Sequence, residues 1–122
     1  MVMFKSLVKT SVLVATTAVL SSLPALAQVS AANVRALNSA RNWAVDNNGG
    51  LSVYRPAACM FNTGDGGGNC LIQNNAQGFR FKFLGGAPGW QQQGTPATTE
   101  TEIQISSDGR KVSNVIYNGA PR

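Results

Sequence analysis

Glu100 and Glu102 are the only two carboxylates that stand close together in the sequence, with one residue between them. On a β-strand, residues two apart point to the same face at a separation of about 7 Å. Paired carboxylates in glycoside hydrolysis use a similar separation, but burial raises the pKa of one of them. Because we expect Arg80 and Lys82 on the neighbouring strand, both glutamates should stay ionised. A solvated sheet face is the favoured interpretation, and a small envelope hydrolase that uses Glu100 and Glu102 is the alternative.

Histidine is absent from the sequence. This absence removes Ser-His-Asp and Cys-His nucleophiles, imidazole general bases and nearly all catalytic zinc sites. The domain that remains after residues 1–27, about 95 residues long, also has no room for a second core or for a cofactor fold of the dinucleotide type. We therefore predict a protein that is not an enzyme, with no catalytic residue, no metal site and no cofactor.

Asp65 lies in a glycine-rich segment, residues 62–68, a composition that phosphate and calcium loops share. A phosphate loop also needs a following lysine and a helix start, and calcium needs several oxygen ligands. Asp65 is the only carboxylate in this segment. We expect a flexible hairpin tip, with Asp65 as a candidate contact for a partner.

Residues 79–83 read Phe-Arg-Phe-Lys-Phe, so rings and cations point to opposite faces of a strand. Platforms for single-stranded nucleic acids need both types of side chain on one exposed face. The formal net charge of +5 falls to 8 − 5 = +3 when Lys5 and Lys9, at the start of the chain, are left out. We expect no nucleic-acid partner and a phenylalanine face that belongs to the core.

Trp90 lies in a loop rich in glycine, proline and glutamine, residues 85–94, which shows no hydrophobic periodicity. A tryptophan in such a loop either folds back over the sheet or is exposed as a contact for a partner. Both interpretations stay open, since long loops without internal structure are often functional. Trp90 and its neighbours Pro88 and Gln91 are the candidate binding residues of this loop.

Cys59 and Cys70 are the only cysteines, and they flank the glycine-rich segment. Redox pairs favour two intervening residues near a helix start, which is not the spacing here. We predict a structural disulfide, and closing a loop of this length stabilises a fold by roughly 3 kcal/mol. Such a bond fits an oxidising compartment.

Residues 1–27 have the features of a cleaved signal peptide. Lys5 and Lys9 form its positively charged start, an apolar stretch follows, and Ala-Leu-Ala ends it. The apolar stretch is shorter than the about 20 residues that a membrane-spanning helix needs. We predict cleavage between Ala27 and Gln28. The product would be secreted or periplasmic, with no membrane attachment, and residues 28–122 would form one small domain.

One helix and several strands are predicted in this domain. Apolar residues at three- and four-residue steps indicate a helix from Ala31 to about Asn47, with Ser30 as N-cap and a stop at residues 47–50. The following residues alternate as in strands. We predict strands at residues 51–54, 57–61, 69–73, 79–83, 98–106 and 111–117. Asp108 and Gly109 should form a two-residue turn.

The patterning also predicts strand registers. Placing Arg80 opposite Glu102 brings Phe79 beside Ile103, so one register satisfies both faces of the sheet. In the last hairpin, Ile105 should lie opposite Val112. The same hairpin register places Thr101 opposite Ile116.

These elements predict an α+β fold, with one N-terminal helix packed on a curved antiparallel sheet of four or five strands. The order of elements resembles that of cystatin-like and related helix-on-sheet folds, in architecture alone, and architecture implies no activity. We expect an exported, non-catalytic binding protein that contacts an unknown protein or surface component through its glycine-rich loops. An inhibitor of an extracellular enzyme is one specific form. A structural component of the envelope or matrix is a further alternative, and the oligomeric state stays open.

Overall fold

The computed structural model describes residues 28–122. The predicted signal peptide, residues 1–27, lies outside the described residues, so cleavage between Ala27 and Gln28 stays a prediction. Within the described range, no helix has the length and apolar character needed to cross a bilayer.

The predicted helix is confirmed as α1 (Ala31–Asn47). Its start is set by Ser30, whose hydroxyl oxygen accepts a hydrogen bond from the backbone N–H of Asn33. Its end is set by Gly49 and Gly50, which adopt positive φ angles that other residues rarely adopt. The buried side chains of α1 recur at three- and four-residue steps, as the amphipathic pattern requires; they belong to Asn33, Ala36, Leu37, Ala40 and Ala44.

Five strands form one antiparallel sheet: β1 (Arg55–Pro56), β2 (Leu71–Asn75), β3 (Gly78–Gly86), β4 (Thr99–Ile105) and β5 (Val112–Gly119). The order is β1-β3-β4-β5, and β2 pairs with the first half of β3 on the same side as β1. A short helix, α2 (Trp90–Gln93), joins β3 to β4. The α+β class with one main helix against the sheet is confirmed.

The core lies between α1 and one face of the sheet, which we call the helix face. Phe79, Phe81 and Phe83 point to this face and are buried, as predicted. Ile103 and Ile105 of β4 lie beside them and are fully buried. We call the opposite side of the sheet the open face.

The predicted register between β3 and β4 is wrong by two residues. Arg80 lies opposite Gln104 rather than Glu102, and Phe79 lies opposite Ile105 rather than Ile103. In the observed register, β3 continues to Gly86 and adds two pairs with β4 beyond the predicted strand. Because side chains alternate with a period of two, a shift of two residues leaves every side chain on its predicted face.

The hairpin of β4 and β5 follows the prediction only at its start. Ile105 pairs with Val112 as expected, but two bulges follow, and Thr101 pairs with Asn118 instead of Ile116. The expected two-residue turn is a longer loop, in which only Gly109 has a positive φ. There the Asp108 carboxylate accepts hydrogen bonds from a serine hydroxyl and a backbone N–H. These bonds hold the wider loop in place.

Two further predicted strands are absent from the described residues. Residues 51–53 form a turn rather than a strand, and a 3₁₀ helix at Ala58–Phe61 replaces one arm of the expected hairpin. The glycine-rich segment between the cysteines does not project as a flexible tip. Gly67 packs so closely on Leu37 and Phe81 that a Cβ would lie 3.2 and 3.0 Å from them. The glycines therefore let this segment lie flat against the core.

Candidate functional site

Trp90 folds back over the open face of the sheet. Its side chain covers Gly86, where a Cβ would lie 2.9 Å from the indole ring. Only 9% of Trp90 is exposed, and its indole N–H donates a hydrogen bond of 2.9 Å to the carbonyl oxygen of Arg55. Of the two interpretations left open by the sequence, the structure places Trp90 in the folded-back one.

Gln91 makes a second hydrogen bond that holds α2 in place. Its side-chain carbonyl accepts a hydrogen bond of 2.7 Å from the backbone N–H of Ala58, next to Cys59. Together with the bond from Trp90 to Arg55, this bond ties α2 to the segment that precedes the glycine-rich loop. These two hydrogen bonds to different backbone groups hold the short helix in place, and it forms one wall of the groove described next.

A groove of about 670 Å³ lies beneath this wall on the open face. The disulfide between Cys59 and Cys70 forms part of its side, with the two Cα atoms 6.0 Å apart. The bond confirms the predicted structural pairing. Ile72 and Leu84 supply the apolar lining, and they are 49% and 39% exposed. Exposed apolar side chains inside a concave site are typical of binding surfaces.

A charged cluster closes the other end of the groove. Glu100 is only 5% exposed, and Arg122 donates from Nε to its carboxylate. The same guanidinium donates from Nη2 to Glu102 over 3.0 Å and stacks on the ring of Tyr117, 3.9 Å from its centre. Lys82 lies opposite Glu102 in the sheet. One cation therefore bridges both glutamates above an aromatic ring.

The electrostatics of this cluster favour the charged form of Glu100. The hydrogen bond from Arg122 lowers the pKa of Glu100, burial acts in the opposite direction, and the charges of Arg122 and Lys82 lower it further. The two carboxylates in turn raise the pKa of Arg122. A carboxyl that serves as a general acid needs the opposite shift. The arrangement suits ionic recognition better than proton transfer.

The sequence-predicted site residues are only partly brought together. Trp90 and Gln91 line the groove, and both also line a second cavity of about 490 Å³ together with Pro88. Asp65 lies apart from both cavities and exchanges hydrogen bonds with Asn62. Among residues 28–122 no cluster of three or more His, Cys, Asp or Glu residues could hold a metal ion.

The two glycine-rich loops do not form one continuous surface. The loop of residues 62–68 packs against Phe81 through Gly67, whereas Trp90 packs against Gly86. The two contact points on β3 are five residues apart, or about 17 Å. They also lie on opposite faces of the sheet, because Phe81 points to the helix face and Gly86 has the alternate parity.

Several residues of the groove and of the charged cluster were not predicted from the sequence. The sequence pattern could have identified Leu84, because it follows Arg80 and Lys82 at two-residue steps and so lies on the same face of the strand. Ile72 had none, since it lies in a bulge between β2 and β3. Arg122 and Tyr117 reach the glutamates only through the pairing of β5 with β4 and the path of the residues after it.

No protein-family model matches the chain, and no curated protein or solved structure is significantly similar to it.

Proposed function

We propose that this chain is an exported, non-catalytic binding protein that contacts its partner through the groove on the open face. The observation that carries the proposal is the exposure of Ile72 and Leu84 in a concave site beside the braced Trp90. Burying such side chains against a partner is favourable by about 25 cal/mol per Å² of apolar surface. The partner is a protein or surface component outside the cytoplasm, and an extracellular enzyme inhibited by this contact is the specific form.

The export part of the proposal rests on the leader-like residues 1–27 and on the disulfide. The bond between Cys59 and Cys70 fits an oxidising environment. Mass spectrometry of the product recovered from outside the cytoplasm should find a chain that begins at Gln28. A product that begins at Met1 would contradict cleavage.

The non-catalytic part rests on the charged cluster. A hydrolase that used Glu100 and Glu102 would need one of them protonated at the working pH. Both carboxylates instead bind the guanidinium of Arg122, and its hydrogen bond to Glu100 lowers the pKa of that carboxyl. A panel of sugar and peptide substrates should show no turnover. Turnover that Glu102→Gln abolishes would overturn this part of the proposal.

A matched pair of leucine variants tests the groove. Leu84 lines the groove and is 39% exposed, and Leu51 lies outside both cavities and is 44% exposed. The disulfide-bonded protein is used to capture partners from the native extracellular fraction, and each captured protein is then purified and its affinity measured. Leu84→Glu should weaken that affinity at least about tenfold, as expected for a core contact of an interface, whereas Leu51→Glu should leave it unchanged. Equal effects of the two variants, or none, would exclude the groove as the contact surface.

A further inference from the structure

The residues after β5 form a strap across the end of the groove; we use this name for residues 120–122. The strap is held at two points. The Tyr117 hydroxyl donates a hydrogen bond to the carbonyl oxygen of Ala120, and Arg122 donates to Glu100 and Glu102. Pro121 and Arg122 line the groove directly. The strap therefore occupies space that a partner in the groove would meet.

The place occupied by Arg122 has the chemistry of a receptor for a guanidinium group. The two carboxylates accept from different nitrogens of the fork, Nε and Nη2, and planar donors in this arrangement recognise carboxylates with geometric specificity. The ring of Tyr117 supplies a face for the cation. The Arg122 side chain is nevertheless 44% exposed, so solvent and competing cations reach it.

Glu100 makes the site more than an exposed pair of charges. Its side chain is 6% exposed, so water can hardly solvate the carboxylate if its hydrogen-bond partner is lost. An ionised carboxylate at such a position requires a compensating cation. If Arg122 leaves, Glu100 loses its hydrogen-bonded cation and keeps only the charge of Lys82, which forms no salt bridge with it, so the site favours another donor with the same charge.

We infer that the partner presents an arginine side chain that displaces Arg122 from Glu100, Glu102 and Tyr117, while the partner's neighbouring apolar residue packs on Leu84 and Ile72. This inference rests on the proposed function and adds the partner's chemistry to it. The strap then acts as an internal competitor. Because Arg122 is tethered only a few residues from β5, its effective concentration at the site is of the millimolar order typical of short linkers. A partner arginine binds only when its other contacts outweigh this competition.

The test is an NMR titration of the disulfide-bonded protein with acetyl-arginine amide, with acetyl-citrulline amide as the neutral control of the same shape. Arg122→Gln removes the guanidinium from the site without adding a charge. In this variant, the backbone signals of Glu100, Glu102 and Tyr117 should shift and saturate with the arginine probe but not with the citrulline probe. The wild-type protein should bind at least about threefold more weakly, because its tethered arginine competes. Adding Glu100→Gln to Arg122→Gln should remove the binding.

The controls separate a folding defect from a binding defect. Circular dichroism and the signals of Phe81, in the core, should be unchanged in Arg122→Gln. Arg122→Lys serves as a second variant, because a point charge lacks the planar fork, and arginine should displace it more readily than it displaces Arg122. The inference is overturned if Arg122→Gln binds neither probe or both equally, or if the wild-type protein binds as tightly as Arg122→Gln.

The outcome is distinguishable from a failure of the proposed function. If the arginine probe does not bind but Leu84→Glu still loses the partner, the groove is the contact surface and only the partner's chemistry is wrong. If the probe binds but Leu84→Glu keeps the partner, the guanidinium site exists and the proposed contact surface is wrong.

Discussion

Removing the disulfide should cost the fold about 3 kcal/mol of unfolding free energy. Cys59 and Cys70 are separated by 11 positions. In the chain-entropy treatment, cross-linking a loop of about 12 residues removes roughly 9.5 cal/mol/K from the unfolded ensemble, or about 2.8 kcal/mol at 25 °C. For a domain of this size, such a loss lowers Tm by about 12 to 24 °C.

Two perturbations separate the cross-link from the packing of its sulfur atoms. Chemical reduction breaks the bond and keeps both sulfurs, whereas the double variant Cys59→Ala, Cys70→Ala removes them as well. Cys70 is buried in the core cluster, so the double variant should lose up to about 1 kcal/mol more, the value of one buried methylene-sized group. Urea unfolding followed by circular dichroism measures all three forms.

The result also bears on the groove, because both cysteines line it and Gln91 bonds to Ala58 beside Cys59. Reduction should therefore weaken partner binding even at temperatures where the protein stays folded. If the reduced protein unfolds within about 1 kcal/mol of the oxidised protein, the unfolded chain is already restricted there, and the entropic account is refuted.

Three other predictions follow from local geometry. Gly67→Ala should lower the free energy of unfolding by about 2 to 4 kcal/mol, because the residue has a positive φ and the added Cβ clashes with the core. Gly94→Ala, which has a positive φ but open space around it, should lower it by about 1 kcal/mol. Equal losses for the two variants in urea unfolding would contradict the packing of Gly67 on the core. Burial raises the pKa of Tyr54 from 10.0 to about 12. Between pH 10 and 12 the free energy of unfolding of the wild-type protein should therefore fall by about 2 to 3 kcal/mol more than that of Tyr54→Phe. Parallel stability curves of the two proteins in this pH range would refute the prediction. Hydrogen bonds lower the pKa of Asp108 below 3.8, so its contribution is present above that pH and lost in more acid solution, and Asp108→Asn should flatten the acid limb of the stability curve.

Local patterns in the sequence determined the elements whose side chains repeat with a clear period. The helix from Ala31 to Asn47 carries its own start signal in Ser30 and its own stop in Gly49 and Gly50. The alternation through Phe79 and its neighbours assigned each side chain to a face. These assignments hold because capping and periodicity depend on residues within one or two turns of each other.

The tertiary structure alone decided the register and the groove. Registers two residues apart place the same side chains on the same faces, so alternation could not choose between them. The observed register pairs β3 with β4 as far as Gly85, and Trp90 covers the next residue, Gly86. Arg122 meets Glu100, 22 positions earlier, only after β5 has paired with β4. A groove built from such distant segments is set by strand pairing and loop packing, which no single stretch of the sequence encodes.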